Sequence, residues 1–336
     1  MGKCGKSLAL VLSRNDLESI LTMRDNIRIV EQAFKEYMLG NVKMPLRPTI
    51  SLEESHGLMA FMPAHIGGGM NALGIKVVSV FQDNVTKYNL PTILGTILLF
   101  DARTGALSAI MDGAFLTAMR TGAASGVATK YMAREDAKTV GMFGAGVQAE
   151  TQLLAICEVR DITAVKVLDP NKPKANSFCE KMEKIVKAEV SVSDSAKEVI
   201  ETSDIIVAAT TSRQPLFKGE WLQPGCHING IGSHHGPGSR EVDGTTVKRS
   251  RVVADSREAC LKEAGDLIDP ISEGLISRDH IYAELGELVV GKKKGRLNKE
   301  EITFFKSVGL ALEDMSTALM VLELAKKKGI GKTISL

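Results

Sequence analysis

Between Thr139 and Ala149 the chain reads Thr-Val-Gly-Met-Phe-Gly-Ala-Gly-Val-Gln-Ala, an apolar run followed by Gly144-x-Gly146-x-x-Ala149 and then a helical pattern. This stretch restricts the fold more than any other. A tight turn at Gly144, a close backbone approach at Gly146 and close helix–strand packing at Ala149 serve together where a strand feeds a helix whose N-terminus faces a pyrophosphate. Such a fingerprint is weak by itself, so its surroundings decide. The next strand-like run, 164–168, leads into Asp169, at the tip where a ribose 2′-hydroxyl lies in such folds. A carboxylate there accepts ribose hydroxyls and repels a 2′-phosphate, which favours NAD over NADP. Lys172 and Lys174 stand close enough in sequence to soften that preference, and the competing reading is a plain Asp-Pro turn ending a strand.

The periodicity around the fingerprint points the same way. From Lys138 onward, strand-like runs at 139–143, 164–168, 205–209, 227–231 and 252–254 alternate with helical stretches from Gln148, near 175–186 and near 195–201. That alternation predicts parallel strands joined by helical crossovers. Residues 13–39 read instead as two helices, and the runs at 58–62, 73–81 and 93–100, broken by glycine, Asp-Asn and Asn-Leu-Pro, read as an antiparallel sheet. Leu312, Met315, Leu319 and Leu322 form a stripe on a helix over 309–328 that needs a surface to pack on, and the first domain is the expected one. The fold class is therefore α/β, a doubly wound domain of Rossmann type plus an α+β domain.

Length and charge remove other classes. A chain of 336 residues is long enough for two domains sharing a substrate cleft, and a net charge of +2 gives no electrostatic reason to invoke nucleic acid or an anionic membrane. The five cysteines show no metal or redox spacing and read as free thiols in a reducing compartment. With no signal-peptide pattern and no run long enough to span a bilayer, a cytoplasmic protein with small-molecule partners is expected.

Several further segments occur in order along the chain: Met44-Pro-Leu-Arg47, Gly74-Ile-Lys76, Leu90-Pro-Thr92, Asp101-Ala-Arg-Thr-Gly105, Thr117-Ala-Met-Arg-Thr-Gly-Ala-Ala-Ser125, Asn229-Gly-Ile-Gly-Ser233 and Ser307-Val-Gly-Leu-Ala311. Together with the glycine loop they resemble the ornithine cyclodeaminase/μ-crystallin family. The resemblance implies a homodimer, with residues 1–120 and 309–336 forming a discontinuous substrate-binding and dimerisation domain and 121–308 the NAD-binding domain. It implies cofactor contacts at Thr121, Gly144, Ala145, Gly146, Val147, Gln148, Asp169, Thr210, Gly232 and Ser307, and substrate contacts at Arg47, Lys76, Thr92 and Arg120. Three cations suit a substrate carboxylate, because guanidinium forks bond it bidentately and fix its α-carbon. Taken singly, each is equally readable as one half of a surface ion pair, and the hydroxyls as capping or turn residues.

The chain also departs from the family pattern. Cyclodeaminases and archaeal-type alanine dehydrogenases resembling it carry an aspartate in the loop after Asn-Gly-Ile-Gly, where this chain has Ser233-His234-His235. Cyclodeaminases also place an acid two residues before Met62-Pro63, where this chain has Ala60. Both anchors for a second amino group are gone, and an unpaired buried ammonium is costly, so ornithine fits poorly. His234, ahead of His235, is the expected acid–base group, with Lys76 a second proton carrier; the plainer reading is that both histidines solvate a glycine-rich loop. The expectation is an NAD(H)-dependent oxidoreductase acting on the C–N bond of a small amino or imino acid, without a metal. Cyclodeamination with bound NAD and a μ-crystallin-like ligand-binding protein are the alternatives.

Overall fold

The computed structural model describes residues 7–232 and 236–336. The chain opens with β1 (Leu8–Leu12), α1 (Arg14–Ile20), α2 (Met23–Met38), β2 (Val42–Lys43), β3 (Thr49–Leu52), β4 (Gly57–Ile66), β5 (Ala72–Phe81), β6 (Ile93–Phe100), β7 (Leu107–Asp112) and α3 (Gly113–Met132). It continues through β8 (Thr139–Phe143), α4 (Val147–Val159), β9 (Ala164–Leu168), α5 (Lys172–Met182), β10 (Glu189–Val192), α6 (Ala196–Glu201), β11 (Ile205–Ala208) and β12 (His227–Gly230). Then follow α7 (Gly244–Arg249), β13 (Ser250–Ala254), α8 (Arg257–Glu263), α9 (Gly265–Ser272), β14 (Ile281–Glu284), α10 (Leu285–Val289), β15 (Ile302–Lys306), α11 (Ala311–Lys328) and β16 (Lys332–Ser335). Two compact units result: residues 1–120 with 310–336, and residues 121–309.

The first unit is built on one sheet, in the order β16-β1-β7-β6-β5-β4-β2 with β3 also paired to β4. The runs read as an antiparallel sheet, β4 to β6, pair antiparallel and β7 continues the meander; the sheet as a whole is mixed because β1 runs parallel to β7. Strand β1 lacks a distinctive alternating signal, and it pairs with β7 and β16 rather than with the strand that follows it in the chain. Helix α1 starts on a reciprocal capping box between Ser13 and Asp16, and α2 on the Thr22 hydroxyl, which accepts from the Asp25 N–H. These caps satisfy donors that the first turn leaves unpaired. Helix α11 packs on α1, α2 and strands β4 to β6, where its stripe was expected to lie. From Ala311 to Ala318 it is buried on every side, polar residues included. Polar side chains so enclosed are tolerated only where they find partners. Thr317 finds one, donating to Asn26 Oδ1 of α2 at 2.7 Å.

The second unit is an eight-stranded sheet in the order β10-β9-β8-β11-β12-β15-β13-β14, parallel throughout. The strand order reverses between β8 and β11, the place where ligands of such sheets bind. Strands β10, β14 and β15 carried no readable sequence signal. β15 occupies a central position, between β12 and β13, although it comes last of the eight in the chain. Its residues Ile302–Lys306 are buried on both faces, so the two-residue alternation of a half-exposed strand is missing.

Candidate active site

The glycine turn is formed by backbone requirements visible atom by atom. Gly144 has φ +97°, and a Cβ there would stand 2.5 Å from the Ala209 carbonyl oxygen. No L side chain fits that conformation or that space. Gly146 precedes the first turn of α4 and offers no capping side chain, so the helix N–H groups there are left for a ligand. A Cβ on Gly146 would meet only the Lys174 ammonium, at 3.7 Å, while Ala149 is fully buried in the core behind. Val147 is exposed on the first turn of α4 and Gln148 half-buried beside it.

Asp169 follows β9, and its carboxylate is tied to this turn. The Ala145 N–H donates to Oδ2 and the Asn171 N–H to Oδ1, both at 2.9 Å, and the Lys174 ammonium stands 3.5 Å from Oδ2. The fingerprint and the acid thus form one hydrogen-bonded unit, with a cation at its edge. Thr121, buried on α3, presents its carbonyl to the Gln152 side chain of α4 at 3.2 Å.

Thr210, Gly232 and Ser307 follow β11, β12 and β15, and acids that the sequence reading missed hold them. Glu241 Oε1 accepts from both the N–H and the hydroxyl of Thr210 at 2.6 Å, and its Oε2 accepts from the Gly232 N–H at 2.8 Å. Asp255 Oδ2 accepts from the Ser307 hydroxyl at 2.8 Å and from the N–H groups of Val308 and Gly309. Lys306 donates to the Gly232 carbonyl and pairs with Asp266 at 2.9 Å. Glu241, Asp255, Asp266 and Lys306 are all fully buried. A lone acid between Arg240 and Val242 gives no sequence signal of this role.

In the first unit, Lys76 of β5 lies opposite Met62 of β4 and Ile97 of β6. Its ammonium contacts Asp314 Oδ2 at 2.8 Å and Oδ1 at 2.9 Å. Arg120 of α3 donates through Nε to Asp314 Oδ1 at 2.9 Å and through Nη1 to Glu313 Oε2 at 2.7 Å. Both acids lie on the first turn of α11, and all four side chains are buried. Burial and the neighbouring Arg120 push the Lys76 ammonium down to about 8 against the pull of Asp314, with Arg47 adding to the depression. Burial also works against the charge of Arg120, but Asp314 and Glu313 outweigh it and hold the guanidinium above its ordinary range.

Arg47 is half-buried between β2 and β3, near enough for its charge to act on Lys76. Thr92 stands half-buried before β6, its carbonyl accepting from the Phe81 N–H at 2.9 Å. The hydrogen bonds that join Lys76 to Arg120 do not extend to Thr92. Ala60 is buried on β4, on the same sheet face as Met62 and therefore as Lys76. His234 lies outside the described residues, as do Ser233 and His235. Among the described residues no cluster of His, Cys, Asp or Glu is arranged to hold a metal ion, and no helix is long and apolar enough to cross a membrane.

A doubly wound parallel sheet with a tight glycine turn leading into a helix, in a chain that also buries two cations paired with two carboxylates, defines a dehydrogenase-class α/β protein. The chain belongs to the ornithine cyclodeaminase/mu-crystallin family, whose profile matches residues 8–329. It is 38% identical over 328 residues to the alanine dehydrogenase of Archaeoglobus fulgidus, covering 97% of this chain and 98% of that one. Its fold superposes with a TM-score of 0.93 on the Δ1-pyrroline-2-carboxylate reductase of Thermococcus litoralis, solved with NADH and L-proline, at 50% identity, covering 97% of this chain and all (100%) of that one. An archaeal alanine dehydrogenase, solved as a dimer with bound NAD, superposes with a TM-score of 0.90 at 36% identity, covering 97% and 99% of the two chains.

Proposed function

We propose that the protein is an NAD(H)-dependent reductase of a small cyclic imino acid of the Δ1-pyrroline-2-carboxylate kind. The observation that carries this reading is the buried pair Lys76 and Arg120, joined through Asp314, on a sheet face where Ala60 supplies a methyl group. Two cations suit one carboxylate, and an apolar neighbour suits a ring of methylenes better than a second ammonium. The 50% identity to a reductase solved with L-proline supports the same substrate class.

In this reading Arg47, Lys76 and Arg120 hold the carboxylate, and Thr92 lines the substrate. The turn from Gly144 to Gln148, with Asp169, holds the adenosine and pyrophosphate, while Thr121, Thr210, Gly232 and Ser307 hold the nicotinamide half. When bound, NADH supplies the hydride. The imine carbon gains it and the ring nitrogen gains a proton, giving the cyclic amino acid and NAD+. His234 delivers that proton, its ordinary pKa lying near neutrality, and a depressed Lys76 keeps a second proton available close to the carboxylate.

The protein is further proposed to be a cytoplasmic homodimer. The free thiols of Cys157, Cys179, Cys226 and Cys260 suit a reducing compartment. Exposed Ile50 and Leu52 on β3 and Ile93 and Leu94 on β6 are the kind of apolar surface a partner covers.

A substrate panel tests the reading, with NADH absorbance followed for Δ1-pyrroline-2-carboxylate, its six-membered homologue and pyruvate plus ammonia. Turnover of the cyclic imines is expected. Turnover of pyruvate plus ammonia alone would make the protein an alanine dehydrogenase, and ornithine giving proline without net NADH loss would make it a cyclodeaminase. Tight NADH binding with no turnover would leave a ligand-binding protein.

A further inference from the structure

The strands of a doubly wound sheet serve a dinucleotide in two halves, here β8 to β10 for the adenosine side and β11, β12 and β15 for the nicotinamide side. In the second half the segments following β11 and β12 are joined by one side chain. The Glu241 carboxylate accepts the Thr210 N–H and hydroxyl with one oxygen and the Gly232 N–H with the other, at 2.6, 2.6 and 2.8 Å. A Cβ at Gly232 would collide with Glu241 Oε2 and stand 2.6 Å from the Thr210 carbonyl, so the two segments approach as closely as backbone permits.

The staple is itself anchored. The N–H groups of Glu241 and Val242 donate to Asp266 Oδ1 at 2.7 and 3.1 Å, and Lys306 bridges Asp266 to the Gly232 carbonyl. Gly232 is therefore held from both sides, through its N–H by Glu241 and through its carbonyl by Lys306. Packing alone would favour an apolar residue at 241, because a fully buried carboxylate is tolerated only when several donors satisfy it. An ionised carboxylate can accept all three bonds from two segments; an amide, with one donor end, cannot.

We infer that Glu241 is a positioning residue that fixes the nicotinamide half of the cofactor site by holding Thr210 and Gly232 in register. The inference rests on the dinucleotide reading given above. Burial pushes the Glu241 carboxyl up to about 7, with Lys306 drawing it down and Asp266 pushing it further up. At pH 8.5, taken as a working condition about a unit or more above that value, the triple acceptor predominates.

The test compares NADH with ADP-ribose, which lacks the nicotinamide, by calorimetric titration at that pH. Glu241→Gln keeps the volume and loses one acceptor; Glu241→Asp keeps the charge but is one methylene too short to span both segments. Each variant is expected to bind NADH about tenfold more weakly while ADP-ribose affinity stays within about twofold of wild type. Equal weakening of both ligands, or no change in either, overturns the inference. If wild-type protein binds neither ligand, the dinucleotide reading itself falls, an outcome distinct from the other two.

Discussion

Lys76 and Asp314 lie 238 positions apart in the chain and meet at 2.8 Å with both side chains buried. The same carboxylate takes the Arg120 Nε at 2.9 Å, so one acid holds two cations whose mutual repulsion would otherwise oppose folding. With Glu313 taking the other end of Arg120, two cations and two acids balance in a dry environment and neither cation is left uncompensated.

Removing the acid exposes that dependence. Asp314→Asn is expected to destabilise the fold by about 3 kcal/mol, the usual cost of breaking a buried pair from one side. Urea denaturation reads the loss directly. A midpoint within error of wild type would mean that Asp314 compensates neither cation.

The depressed pKa of Lys76 predicts the pH profile. Where Lys76 holds the substrate carboxylate, loss of its proton at about 8 adds an alkaline limb to kcat/KM for the imino acid. In the substrate complex the bound carboxylate favours the charged form, so the corresponding limb in kcat lies at higher pH. For stability the sign runs the other way. The folded pKa lies below the unfolded value of 10.5, so burial of the charged lysine costs stability below about pH 8, and the cost is relieved between about 8 and 10.5. Lys76→Arg should abolish the alkaline limb of kcat/KM, and a variant that retains it would assign the limb to another group.

Gly144→Ala places a methyl group 2.5 Å from a carbonyl oxygen at φ +97°. A loss of about 1–3 kcal/mol and weakened NADH binding are expected, since the backbone strain falls on the turn proposed to hold the pyrophosphate. Thermal melting with and without NADH separates the two effects.

Cofactor choice should depend on the pairing of Asp169 with Lys174. Asp169→Ser is expected to raise KM for NADH about tenfold, by loss of charge-assisted hydrogen bonds, and to lower KM for NADPH. Lys174→Ala should weaken NADPH alone. Parallel changes for both cofactors in either variant would place the 2′-position elsewhere.

What the sequence disclosed depended on how local each feature was. The strands 139–143 and 164–168 and the turn at Gly144 are written in contiguous residues with apolar runs and a glycine signal, and the structure has β8 and β9 at those bounds. Strand β15 was missed because burial on both faces erases alternation, and α3 because its small residues Gly122, Ala123, Ala124 and Ser125 are buried together and display no single apolar face. The cations Lys76 and Arg120 could be named from short motifs. Their partners Glu313 and Asp314 could not, because nothing in one helix turn announces charges that lie nearly 200 residues or more away in the chain. Glu241 is the same case in the second unit: the donors it joins belong to separate loops.

The order in which the chain is made gives the split first unit a history. Residues 121–309 form a contiguous compact unit, whereas β1 to β7 wait for α11, and β16 then closes against β1, with the Leu336 N–H donating to the Ser7 carbonyl at 2.9 Å. During synthesis Lys76 and Arg120 emerge long before Glu313 and Asp314, so a nascent chain holds an unneutralised pair of cations until the complete nucleotide unit has left the ribosome. A truncation that removes α11 would leave that immature state permanent, a finished dinucleotide fold tethered to a sheet that cannot bury its own charge.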